Sequence, residues 1–296
     1  SKTILGLSDW IHENPPELLI VHGDRIEALA GALVSATNSV RCAHIEGGEV
    51  SGTIDEVYRH CNTKLCTYHF VSSEDAAARV ASLGEDPENI YTIGSPELDR
   101  HLEASGVSLK EVKQRYDIPF RDYGIAIFHP VTSERNTIGK QAETLFSVLN
   151  NSKRNFVVIL PNNDPGSEEI FAAIKKLDPN RFRSLPNMRF SYFSELMKNA
   201  SVLVGNSSAG VREAPFLGIP SLNIGTRQFK RSSASTITDL SAFDVDAMAN
   251  FLITNWGKRF PADQSFGEGQ AARRFVDKIS NETFWNAPLQ KYFFSS

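Results

Sequence analysis

"ELLIVHGDRIEALAGALVSATNSVRCAHIE", residues 17–46, carries most of the decision about the fold. It opens on a short apolar run (17–23), passes through an amphipathic stretch (25–38) and returns to a second apolar run (40–46). Within the runs the apolarity is continuous rather than alternating, as a strand buried on both sheet faces requires. A strand, a helix and a strand in that order give a parallel pair.

The same alternation repeats along the chain. Further strand candidates lie at 68–73, 89–94, 124–129, 155–161, 181–186, 201–206 and 220–225, with helical patterns at 73–84, 166–177 and 192–200. The fold class is α/β with doubly wound parallel sheets. Residues 95–123 supply helices and a Pro-containing connection but no strand, so the domain division is expected near Ile118. That gives two Rossmann-like domains, 1–118 and 119–271. The stretch before residue 17 reads as the middle of a helix leading into a strand. The first domain is therefore expected to be short by a strand or two at its start.

Bulk properties narrow the function classes. With 41% hydrophobic and 22% charged residues, the 296-residue chain has the composition of a globular protein with a real core. A net charge of −4 gives no basic excess for neutralising phosphates, so no nucleic-acid partner is expected. No apolar stretch approaches the roughly 18 residues of a membrane span, so no membrane partner is expected either. Three cysteines without a CxxC pair point to a reducing, cytoplasmic setting. Cys61 and Cys66 would sit about 140° apart on a helix, which argues against a metal site there.

In doubly wound folds ligands gather outside the carboxyl ends of the strands. The strand ends here are polar beyond what turns need: "HGDR" (22–25), "HIEGGE" (44–49), "FHPVTSER" (128–135), "VGNSSAGVREA" (204–214) and "NIGTRQFKR" (223–231). Asp24, Glu46, Glu49, Asp55 and Glu56 gather near two neighbouring strand ends. They read either as an acid–base cluster, each carboxylate raising its neighbours' pKa, or as a solvated acidic loop. The small residues around Asn206, Ser207 and Ser208 lead into the helical pattern "AGVREAPFLG". They read either as a phosphate contact at a helix N-terminus or as a plain N-cap. Glu213, about one and a half turns into that helix, could accept both hydroxyls of a ribose. Arg227, Lys230 and Arg231 could meet a diphosphate. Neither a dinucleotide fingerprint nor a P-loop occurs, and no cofactor or metal is expected.

Taken together and in order, "HGDRIEALAGA", "AHIEGGEVSGTIDEVYRH", "FHPVT", "PNNDPGS", "VGNSSAGVREA" and "NIGTRQ" resemble the hydrolysing branch of the UDP-N-acetylglucosamine 2-epimerase family. The resemblance runs from about residue 17 to 240. It implies the GT-B architecture, two Rossmann-like domains facing a cleft, with 272–296 packing back on the first domain. It implies elimination of the nucleoside diphosphate to a 2-acetamidoglucal, then addition of water to release N-acetylmannosamine. Carried over by motif, Asp24, Glu46 and Asp55 are the acid–base carboxylates. His129 serves the leaving diphosphate, and Arg25, Asn206, Ser207, Ser208, Glu213 and Arg227 bind the nucleotide. The partner is then a nucleotide sugar, and a homodimer or homotetramer is the expected assembly.

Two places depart from the family pattern. No Gly-Ser/Thr-Arg-Ala-type loop precedes "HGDR", and Lys230 stands where the family has a glycine, so the diphosphate loop is expected to be altered or mobile. Several functions compete: the same chemistry on UDP-2,4-diacetamido-2,4,6-trideoxyglucose or GDP-N-acetylglucosamine, a non-hydrolysing epimerase, a GT-B glycosyltransferase, and an inactive sugar-nucleotide binding module. Only eight residues separate Glu46 from Asp55, which favours the hydrolysing branch over the non-hydrolysing one.

Overall fold

A computed structural model describes residues 2–103 and 105–294. The chain forms two compact units: Ser1–Asp99 with Phe266–Ser296, and Arg100–Ser265. The division expected at Ile118 falls inside the second unit, because Val112, Ile118 and Phe120 are buried in its core.

The first unit runs α1 (Lys2–Glu13), β1 (Leu18–His22), α2 (Ile26–Thr37), β2 (Arg41–Ile45), α3 (Asp55–Leu65), β3 (Tyr68–Val71), α4 (Glu74–Ser82) and β4 (Ile90–Thr92). The strands pair in parallel in the order β1-β2-β3-β4. Ser73 starts α4 by accepting from the Ala76 N–H at 3.2 Å, the usual service of serine at a helix N-terminus. Helix α5 (Pro96–Leu102) leads the chain out of this unit.

The second unit runs α6 (Leu109–Arg115), β5 (Gly124–Ile127), α7 (Ile138–Asn151), β6 (Phe156–Ile159), α8 (Ser167–Ile174), β7 (Phe182–Leu185), α9 (Phe190–Lys198), β8 (Leu203–Gly205), α10 (Glu213–Phe216), β9 (Ser221–Ile224), β10 (Ile237–Leu240) and α11 (Val245–Asn255). Its sheet is parallel, ordered β10-β9-β8-β5-β6-β7. Alternate residues of one strand feed opposite cores. Ala126 packs with α7 and α11 residues, whereas Ile125 and Ile127 pack with α6 and α9 residues. Both faces are covered, which explains the unbroken apolar runs. Strand order reverses between β5 and β8, the switch point where such sheets open a crevice.

Helix α12 (Ala271–Ile279) and the turn Glu282–Asn286 belong to the first unit. Phe284 stacks on Tyr68 with ring centroids 3.9 Å apart, and the Tyr68 hydroxyl donates to the Phe284 carbonyl at 2.6 Å. Burial of such rings contributes roughly 1.5–3 kcal/mol each.

Two local expectations change. The sequence pattern gives no sign of β10, whose half-buried Ile237, Thr238 and Leu240 flank an exposed Asp239. The expected continuous helix after β8 is instead a 3-10 turn (Ser208–Gly210) followed by the four-residue α10. Glu213 is therefore the first residue of a short helix, not a residue one and a half turns along a longer one.

Candidate active site

In the first unit, β1 and β2 end side by side, with His22 in register with Ile45. Glu46 follows β2 in a left-handed backbone, φ 66°, uncommon for a side chain with a Cβ. The turn that leads through Gly47 and Gly48 thus begins at Glu46 itself. Gly48 is needed for another reason: a Cβ there would lie 2.2 Å from the Ala76 carbonyl oxygen on α4. Glu46 is only 5% exposed. Its Oε1 accepts from the Ser95 hydroxyl at 2.8 Å, and its Oε2 lies 3.3 Å from His22 Nε2.

Asp24 pairs with the guanidinium of Arg59, which is 1% exposed and also donates to the Glu49 carbonyl at 2.8 Å. The acidic cluster is therefore built round a buried cation that the sequence reading missed. Its signal was present: Arg59 stands four residues after Asp55 on α3, on the same helix face. Asp55 opens α3 and accepts from Thr53 Oγ1 at 3.0 Å. Glu49 is buried and accepts from Ser72 Oγ at 2.5 Å, while Glu56 accepts from the Ser51 N–H at 2.6 Å. Asp55 and Glu56 both brace the loop before α3, and Glu49 is tied to Ser72. Arg25 is exposed at the start of α2. Ser95 and Glu97 have no counterpart among the expected site residues. Ser95 Oγ lies 2.5 Å from Glu97 Oε2, and His22, Glu46 and Glu97 bring one polar atom each within 4.8 Å of one another.

His44 is fully buried beneath this site. Its Nε2 donates to the Gly23 carbonyl at 2.9 Å, and Thr63 Oγ1 donates to its Nδ1 at 3.3 Å. Burial, only partly offset by the Gly23 hydrogen bond, lowers its pKa to about 3, so it is neutral and structural. Cys66 lies beyond the end of α3 against Cys42, with sulfurs 3.1 Å apart, while Cys61 is exposed. The two cysteines of "HCNTKLC" do not meet.

In the second unit, the switch point is tied by reciprocal hydrogen bonds. The His129 N–H donates to Asn206 Oδ1 at 2.7 Å, and Asn206 Nδ2 donates back to the His129 carbonyl at 2.8 Å. Asn206 also receives Arg227 Nη1 on its carbonyl at 3.0 Å. Its side chain latches the His129 backbone and its carbonyl holds the Arg227 guanidinium. Gly205 makes this approach possible, since a Cβ there would lie 1.9 Å from the Ile127 carbonyl oxygen. Ser207 and Ser208 are half-buried, and Ser207 Oγ accepts from the Ala209 N–H at 3.3 Å. The four-residue α10 is too short to bring a helix macrodipole to this loop, which offers hydroxyls and local N–H groups instead. Glu213 is 8% exposed, and its Oε1 accepts from His101 Nε2 at 2.9 Å. The other nitrogen of His101 lies 2.9 Å from Ser194 Oγ. His101, also absent from the expected set, holds one oxygen of this carboxylate. Lys230 has φ 61°, a left-handed backbone that a glycine would adopt without strain. Beside the same loop is a cavity of about 470 Å³ whose lining includes Glu134, Thr226, Phe229 and Phe243.

Known proteins resemble this chain in sequence and fold. The model of the UDP-N-acetylglucosamine 2-epimerase family matches residues 1–280. A UDP-N-acetylglucosamine 2-epimerase of Neisseria meningitidis serogroup B is 42% identical over 300 residues, spanning 99% of this chain and 78% of the relative. The Legionella pneumophila UDP-N,N'-diacetylbacillosamine 2-epimerase (hydrolyzing) is 29% identical over 274 residues, spanning 92% and 72%. Among solved structures, a Neisseria meningitidis UDP-GlcNAc 2-epimerase bound to UDP-GlcNAc aligns with a TM-score of 0.81 at 19% identity, covering 94% of this chain and 80% of that one. At that identity the likeness is one of fold: GT-B, with two parallel sheets in Rossmann-like halves. The chain belongs to the UDP-N-acetylglucosamine 2-epimerase family.

Proposed function

We propose that the protein is a hydrolysing 2-epimerase that converts UDP-N-acetylglucosamine to N-acetylmannosamine and UDP. The observation that carries this reading is the setting of Glu46. It is a nearly buried carboxylate at a strand end, held on one oxygen by Ser95 and faced on the other by His22. A fixed, desolvated carboxylate is suited to take a proton from carbon. Glu46 removes the C2 proton, the C–H electron pair becomes the C1–C2 double bond, and the C1–O bond breaks toward the diphosphate. Water then adds its oxygen to C1, and a proton reaches C2 from the opposite face. Asp24 and Asp55 are the remaining acid–base candidates for the hydration. His129, Arg227, Ser207 and Ser208 receive the diphosphate, Arg25 and Asn206 support nucleotide binding, and Glu213 takes the ribose. The short spacing between Glu46 and Asp55 supports the hydrolysing mode.

A second reading keeps the chemistry and changes the sugar to UDP-2,4-diacetamido-2,4,6-trideoxyglucose. The likeness to the Legionella pneumophila enzyme favours it. Incubation with each nucleotide sugar in deuterated water, followed by NMR, separates the two. Free 2-epimerised sugar with deuterium at C2 is expected from UDP-N-acetylglucosamine. Release from the trideoxy sugar alone would transfer the assignment. Epimerised sugar still joined to UDP would overturn the hydrolysing mode.

A further inference from the structure

One imidazole joins three helices. His101 stands near the end of α5, Ser194 lies within α9 and Glu213 opens α10. All three fall in the unit Arg100–Ser265. His101 is 2% exposed and Ser194 1%. The ring Nδ1 lies 2.9 Å from Ser194 Oγ, and Nε2 lies 2.9 Å from Glu213 Oε1. A hydroxyl can donate or accept, so Ser194 matches Nδ1 in either state and leaves Nε2 to donate to the carboxylate. Phe190, at the start of α9, packs beside the imidazole with ring centroids 5.1 Å apart. The imidazole cannot turn without breaking one of these contacts.

Ser194 is sealed in the interior, so this Ser–His–Glu order is no nucleophilic triad. Its open end is the carboxylate, whose side chain is 10% exposed. An arginine in place of His101 would grip both carboxylate oxygens in a fork, whereas the imidazole meets one. A glutamate side chain loses rotamer freedom when a ligand fixes it, and fixing it beforehand removes that cost from binding. We propose that His101, braced by Ser194, is a positioning residue that presents Glu213 to the ribose hydroxyls and makes the nucleotide site prefer ribonucleotides to deoxyribonucleotides. The inference rests on the reading of Glu213 as the ribose contact. The reacting carbons of the sugar lie beyond the diphosphate, so His101 bears on binding and not on the chemical step.

Titration calorimetry of the full chain with UDP and with 2′-deoxy-UDP tests this. The wild type is expected to favour UDP about tenfold, the lower end for one hydrogen bond to a charged group. His101→Leu keeps an apolar side chain against Phe190 and removes both ring nitrogens. Its preference should fall below about threefold, mainly through weaker UDP binding, because the lost hydrogen bond is the one that orients the carboxylate. A merely structural role would weaken both nucleotides alike and leave the ratio unchanged. His101→Gln, whose amide can donate to Glu213, should restore most of the preference. With UDP-N-acetylglucosamine, His101→Leu should raise KM by the factor lost in UDP affinity, while kcat stays within about twofold. A wild-type ratio in His101→Leu, or a fall in kcat without a rise in KM, would overturn the proposal. Should His101→Leu not fold, Ser194→Ala decides by the same ratio: a fall supports the brace and a wild-type ratio removes it. Glu213→Gln is the control on the functional reading, and its ratio should fall too. An unchanged ratio there, or a wild type that does not distinguish the two nucleotides, would show that Glu213 does not meet the ribose; the site assignment then fails, and this inference with it.

Discussion

His44 shows what a single buried imidazole does to the pH range of the first unit. Burial holds its folded pKa near 3 against an ordinary 6.5, so the unfolded chain binds this proton first as pH falls. Stability therefore declines from about pH 6.5 down to about pH 3, approaching about 1.4 kcal/mol per pH unit for this residue. His69, also pushed down by burial, acts in the same direction. Replacement of His44 by Gln, which can bond to Gly23 and Thr63 without titrating, should flatten the slope of unfolding free energy by about one proton. Urea denaturation at pH 6.5, 5.5 and 4.5 measures it; an unchanged slope would show that His44 is not the group responsible. Much of the site was legible at this scale because strand ends and motif order single out Glu46, Asp24 and Glu213. Their supports were less so: Arg59 had a signal in its spacing from Asp55, whereas Ser95, Glu97 and His101 come from helices and loops whose own sequence shows no chemistry. Ser95 is 49 residues from Glu46 and His101 is 112 from Glu213.

At the scale of elements, α3 carries Asp55 and Arg59 at its start and is fastened at its far end by the chain's own tail. Lys291 Nζ donates to the carbonyls of Thr63, Lys64 and Cys66 at 2.8, 3.0 and 2.6 Å and meets Glu85 at 2.5 Å. Four oxygens share one ammonium, and the last carbonyls of α3 gain the partner a helix end lacks. Glu85 is 1% exposed. Burial opposes its charge, but hydrogen bonds from His69, Lys291 and Lys64 lower its pKa to about 2. Lys291→Met should destabilise the first unit by about 1.5–3 kcal/mol, the range for losing a hydrogen bond to a charged group. Lys64→Met, at a lysine that is half in water, should cost less than about 1 kcal/mol. Thermal melts compare the two, and equal effects would reject the tail as the principal fastening. None of this was legible beforehand, because the sequence shows an exposed-looking lysine two hundred residues from the helix it caps. The break after β8 was hidden differently. "AGVREAPFLG" has helical composition, but Pro215 and the close approach of Gly210 to Ser221 Oγ (2.8 Å for an added Cβ) keep the segment short.

For the whole molecule, the fold class was readable because both sheets are parallel and the second is covered on two faces, which imposes continuous apolar runs. Domain limits were less readable, because α6 looks like a connection and becomes core only once Val112 and Ile118 pack beside Leu196 and Leu203. The candidate site residues also divide between the units. The clustered carboxylates stand on Ser1–Asp99, while the latch at the switch point, Arg227 and the Glu213–His101 pair stand on Arg100–Ser265. Under the proposed function, C2 chemistry and nucleotide affinity should therefore separate by mutation in the full chain. Glu46→Gln removes the base while keeping a side chain of the same shape. It should lower deuterium incorporation at C2 by at least about 100-fold. UDP affinity measured by calorimetry should change by less than about twofold, because uniform binding and transition-state interactions are independent quantities. Glu213→Gln should do the reverse, weakening UDP by about 1–2 kcal/mol through the loss of a charged hydrogen bond to the ribose. If Glu46→Gln abolishes UDP binding, the nucleotide does not rest on the second unit alone, and the division of roles between the units is wrong.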